Sequence, residues 1–101
     1  MMNVTYRADQ QILYIVLEGR VDATNAAEAE KQIFAIREEN RGKHTVIDAD
    51  RLEYISSAGL RVLLSAQKKM KQVGSMKLTH VCEAVMDVLE MTGFADILTI
   101  E

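Results

Sequence analysis

Leu52-Glu53-Tyr54-Ile55-Ser56-Ser57-Ala58-Gly59-Leu60-Arg61-Val62-Leu63-Leu64 is the stretch that says most about this chain. It sets two hydroxyls and a glycine between an apolar strand, Thr45-Val46-Ile47, and an amphipathic helix predicted to begin near Gly59. Ser56 and Ser57 thus fall where a helix opens, beside unpaired backbone N–H groups and the positive end of the macrodipole. A phosphate attached there meets amide donors as well as water. Capping the helix is serine's commonest task at such a place. A regulatory phosphosite is the competing role.

With its flanking strand and helix, this segment resembles the STAS family, in particular the bacterial anti-sigma factor antagonists. In that family a strand leads through an apolar-Asp-Ser-Ser-Gly-Leu turn into a helix, and the serine two before the glycine is phosphorylated. The resemblance places that serine at Ser57, with Ser56 as runner-up, and matches Gly59 and Leu60 to the family's glycine and leucine. Ser56 stands where many members carry aspartate, and Ala58 where many carry the second serine. The likeness extends from the first strand to the last residues.

The bulk properties fit one small domain spanning residues 1–101, room for a single core. Hydrophobic residues at 49 % and charged ones at 27 % are a globular rather than a disordered mixture. A net charge of −3 argues against direct nucleic-acid binding, which needs a basic surface. No run approaches the ~18–20 apolar residues of a membrane span. The N-terminal Met1-Met2-Asn3-Val4-Thr5-Tyr6-Arg7 lacks the apolar core of a signal peptide. The single cysteine, Cys82, allows no internal disulfide. A cytoplasmic protein is expected.

Outward from the turn, the predicted order is β-β-α-β-α-β-α-β. Val4–Arg7 and Ile12–Leu17 are β-branched and aromatic enough for strands, joined by a turn at Asp9-Gln10 into an antiparallel hairpin. Ala26, Ala29, Ile33 and Ile36 recur at helical spacing, with Asn40-Arg41-Gly42 as the stop. His44–Asp48 is a short central strand. Leu60, Val62, Leu63, Ala66, Met70 and Val73 stripe the second helix, which Gly74 ends. Met76–Thr79 is a strand, Glu83–Thr92 a helix closed by Gly93, and Ile97–Ile100 a final strand. Helices alternating with strands give an α/β fold with a small, mainly parallel sheet. The STAS resemblance implies helices mostly on one side of it.

An enzyme finds little support. His44 and His80 have no Cys, His or carboxylate at metal-ligand spacing, Cys82 has no placed base, and the glycines form no phosphate-binding motif. No cofactor is expected. Asp48 and Asp50 are predicted to close the central strand and Asp22 the second hairpin strand, so Asp22, Asp48 and Ser57 could share one end of the sheet. Helix capping and solvation are the plainer roles for these carboxylates. Arg61, Lys68, Lys69 and Lys71 give the second helix a basic outer face. That is ordinary for an amphipathic helix, and equally suited to an acidic partner.

The resemblance implies an antagonist in a partner-switching circuit. Its unphosphorylated form binds an anti-sigma factor, a GHKL-type serine kinase, and frees a sigma factor. Phosphorylation at Ser57 ends the complex and a PP2C-type phosphatase restores it. Asp22, Ser56, Ser57, Ala58, Gly59, Leu60 and Arg61 form the implied partner surface. The alternative is an accessory or scaffold STAS subunit, of a stress-sensing complex or a lipid-exporting ABC transporter.

Overall fold

The computed structural model describes residues 2–70 and 76–101, with the side chain of Met70 excluded. Expectations for Lys71, Val73 and Gly74, and for the Met70 side chain, lie outside the described residues. The order is β1 (Met2–Ala8), β2 (Ile12–Val21), α1 (Ala26–Glu39), β3 (His44–Ile55), α2 (Ser57–Met70), β4 (Met76–Thr79) and α3 (Glu83–Thr92), then a 3-10 turn (Phe94–Asp96). Among the described residues the strands form one four-stranded sheet in the order β1-β2-β3-β4. β1 and β2 are antiparallel, while β2, β3 and β4 are parallel, so the α/β arrangement expected from the sequence is present.

The hairpin forms because Asp9 closes it. Its carboxylate accepts the amides of Gln11 at 2.8 Å and Ile12 at 2.7 Å, and its own N–H donates to the Ile12 carbonyl. In β2, Leu13, Ile15, Leu17 and Val21 alternate inward, with 0–2 % exposure. They meet Ala29 and Ile33 of α1, Leu60 and Leu63 of α2, and Val85 and Leu89 of α3 in one continuous core. α1 packs on β1 and β2, α2 and α3 on β3. The other face of the sheet carries Arg7 over the Tyr14 ring at 4.0 Å, with Val16 and Asp48 half-buried beside them.

β3 is much longer than the expected His44–Asp48, because the ladder with β2 continues to Val21↔Ile55 through two register shifts. The second helix opens at Ser57 rather than near Gly59. The final strand is corrected as well. Among the described residues Ile97–Ile100 makes one bridge, Leu78↔Ile100. The buried side chain of Gln67 replaces the ladder there: its amide donates to the Ile97 carbonyl at 2.6 Å and accepts the Thr99 N–H at 3.2 Å. These residues therefore hang from α2 by a side-chain amide that imitates a neighbouring peptide.

Candidate functional site

Two parallel strands end side by side. Val21 closes β2 and Ile55 closes β3; they are paired in register and each is almost wholly buried. The following amide, that of Ser56, donates to the Val21 carbonyl at 2.9 Å. Both chains then run into helices at this C-terminal edge of the sheet, where α/β sites form.

After β2 the turn is held by its own side chains. The Asp22 carboxylate accepts the Thr24 amide at 2.9 Å and the Thr24 hydroxyl. Asn25 accepts the Asp22 amide at 2.9 Å and donates to the Arg20 carbonyl at 2.8 Å. The Asp22 carbonyl receives the first amide of α1, from Ala26, at 2.9 Å. The Thr24 hydroxyl, then the Thr24 amide, hold the Asp22 carboxyl below the usual aspartate range. It is a fixed negative charge at neutral pH.

After β3 the chain enters α2 with one residue between. The Ser56 carbonyl accepts the Leu60 amide at 2.9 Å, and its hydroxyl faces the Gly59 amide at 3.5 Å, so Ser56 is the helix cap. Ser57, the first residue of the helix, is exposed. Capping therefore falls to Ser56 and leaves the Ser57 side chain on the surface. Ala58 is half-buried and Arg61 exposed on the next turn.

Gly59 and Leu60 correct the expected partner surface. Both are buried, Leu60 to 1 % exposure, so neither faces outward. A Cβ on Gly59 would stand 2.6 Å from Ile55 Cγ1 and 2.9 Å from Val21 Cγ1. The glycine lets α2 settle onto the paired strand ends. Asp48 is a second correction. It pairs with Val16 and Thr79 in mid-sheet, seven residues before Ile55, about 20 Å from the turn at the usual strand rise. Its carboxylate meets His80 Nδ1 at 3.0 Å instead. Asp22 and Ser57 therefore share the edge without Asp48, and Asp50 lies in β3 too. A hollow of about 590 Å³ on the open sheet face, lined by Arg7, Tyr14, His44, Lys77 and His80, includes no residue of the turn.

The STAS domain model matches residues 3–101, nearly the whole chain. The chain belongs to the STAS domain family. BtrV of Bordetella bronchiseptica, by name an anti-sigma factor antagonist, is 35 % identical over 100 residues, covering 98 % of this chain and 85 % of BtrV. The anti-sigma-B factor antagonist of Bacillus subtilis is 26 % identical over 100 residues, covering 98 % and 90 %. In fold, an anti-sigma factor antagonist from Mycobacterium paratuberculosis superposes with a TM-score of 0.87 at 18 % identity, over 99 % of this chain and 85 % of that one.

In this STAS domain no group of three or more metal-ligating side chains occurs among the described residues, and no described helix is long and apolar enough to cross a membrane. Cys82 precedes α3 with its thiol 3.6 Å from the Leu52 carbonyl, inside the fold's own hydrogen-bonding. The sequence did not single out Thr24, Asn25, Arg20 or Tyr54. Thr24 and Asn25 were readable as turn formers after Asp22. Arg20 and Tyr54 were not, because their meeting depends on a register shift.

Proposed function

We propose that this chain is an anti-sigma factor antagonist whose unphosphorylated form binds an anti-sigma factor of the serine-kinase type. Phosphorylation of Ser57 by that kinase separates the two, and a PP2C-type phosphatase restores the binding form. The observation that carries this is the division of labour at the turn: Ser56 caps α2, and Ser57 stands exposed as its first residue. The names of the similar proteins favour the same role.

The switch needs no refolding. A phosphate adds about −1.5 to −2 charges at neutral pH, beside the fixed charge of Asp22. The start of α2 tolerates it, since its amides and dipole favour anions. A packed partner does not, because the phosphate must be desolvated and repels partner carboxylates. A loss of about 3–4 kcal/mol weakens binding by about two to three orders of magnitude, at about 1.4 kcal/mol per tenfold.

The test is titration of recombinant serine-kinase anti-sigma factors from the source organism with wild-type, Ser57→Ala and Ser57→Glu chains. Phosphosite mass spectrometry follows incubation with ATP. Ser57→Ala should bind and resist release by ATP, and Ser57→Glu should bind at least about 100-fold more weakly. Modification of Ser56 alone would overturn the residue assignment.

A further inference from the structure

β3 skips a residue just before the turn. Gly19 pairs with Leu52 and Arg20 with Tyr54, leaving Glu53 outside the ladder, and Gly19 adopts a left-handed φ of +91°. Strict alternation after the inward Leu52 would send Tyr54 into the core and Ile55 out of it. The bulge reverses this: Ile55 is 1 % exposed, and Tyr54 is 37 % exposed on the open face beside Arg20. The Arg20 guanidinium lies over the Tyr54 ring, 4.4 Å from its centroid. Bulges commonly re-aim side chains beside functional sites. This one displays a stacked Arg–Tyr pair two residues before Ser56.

We propose that the Arg20–Tyr54 stack is the affinity anchor for the anti-sigma factor, docking an acidic patch of that partner next to its contact with Ser57. The proposal rests on the function given above and adds where, and to what chemistry, the partner binds. Tyrosine and arginine dominate binding hot spots. Arg20 is exposed and, among the described residues, makes no ion pair, whereas Arg51 on the same strands is held by Glu18 at 3.1 Å. The two acids nearest in sequence are already engaged, Glu18 by Arg51 and Asp22 by Thr24. Stacking fixes the guanidinium plane and leaves its N–H fork for a carboxylate. Arg20 and Tyr54 are paired one step before the strand ends at Val21 and Ile55, and Tyr54 lies three residues before Ser57, so one partner covers both.

The test uses full-length chains and each recombinant serine-kinase anti-sigma factor of the source organism, titrated by calorimetry at low and high salt. Arg20→Ala and Tyr54→Ala should each weaken binding about 10- to 100-fold. Tyr54→Phe, which keeps the ring, should bind like wild type, and Arg20→Lys should recover only part of the loss. Residual binding of Arg20→Ala should depend less on salt. Thermal melts accompany each variant. If Tyr54→Ala fails to fold, the exposed Arg20→Glu reads the same contact and should lose more than Arg20→Ala. Wild-type affinity in Arg20→Ala and Arg20→Glu, with Ser57→Glu still releasing the partner, overturns the anchor and spares the proposed function. Absence of binding by the wild-type chain to every kinase removes both.

Discussion

The Ser56 amide donates to the Val21 carbonyl across 2.9 Å, and this bond ties the turn that carries Ser57 to the strand that leads into Asp22. It makes the serine turn part of the sheet edge rather than a free loop. The geometry beneath it is tight, because α2 descends onto Val21 and Ile55 at Gly59.

Gly59→Ala therefore tests packing rather than partner contact. The new methyl falls 2.6 Å from Ile55 Cγ1 and 3.1 Å from the Val21 carbonyl, so strand ends or helix must shift. Overpacking of this kind costs about 1–3 kcal/mol. Urea denaturation should show a lower midpoint with an unchanged slope. Wild-type stability in Gly59→Ala would remove the packing role and return the glycine to the partner surface.

Why some of this was legible in the sequence, and some not, follows from the period of the strands. Leu13, Ile15, Leu17 and Val21 keep the two-residue beat, so β2 is visible as a strand. In β3 the buried residues after Ile47 are Ala49, Leu52 and Ile55, three apart, because two register shifts add residues to it. That spacing imitates a helix or a loop, so by sequence the strand stops at Asp48. Ile97–Ile100 erred in the opposite direction. Its β-branched residues read as a strand, yet Gln67, thirty residues away in sequence, takes the hydrogen bonds. The serine turn was legible because its signal is local: a cap, a glycine and an apolar stripe. The place of Asp48 was not, since it depends on how far β3 runs.

Gln67→Ala should release the C-terminal segment. The change removes two part-buried hydrogen bonds, one to the Ile97 carbonyl and one from the Thr99 amide, each worth about 0.5–1.5 kcal/mol. Hydrogen exchange should accelerate at Thr99, and at Leu78 and Glu101, whose amides bond across the single bridge. Unchanged protection at all three would mean the Leu78↔Ile100 bridge holds the segment without Gln67.

Acid should loosen the hairpin turn in a defined direction. The amides of Ile12, then Gln11, hold the Asp9 carboxyl below the usual aspartate range. A depressed folded value means the stabilisation is present above the unfolded value and is lost as pH falls through the folded one. The effect therefore lies below about pH 4. Carboxyl titration by NMR should find Asp9 below an ordinary aspartate. Asp9→Ala should flatten the acid limb of the stability curve, and a curve identical to wild type would refute the assignment.

Asp22 separates charge from architecture at the serine turn. Its bonds from Thr24 hold its carboxyl below the usual aspartate range, so Asp22 is a constant negative charge at the strand edge that also leads into Ser57. Asp22→Asn preserves an oxygen that can accept from the Thr24 amide and hydroxyl, and so keeps the turn. The variant should melt close to wild type and bind the kinase normally, while phosphate transfer to Ser57 slows, the outcome expected if the carboxylate orients the hydroxyl or the kinase. Arg61→Glu, on the exposed first turns of α2, should fail in the opposite way: weaker binding with reduced salt dependence, since a rim charge mainly steers association. Paired kinase and binding assays distinguish the two. If Asp22→Asn loses binding and transfer together, the carboxylate belongs to the contact surface. If neither variant changes either assay, Ser57 acts without charged help from this edge.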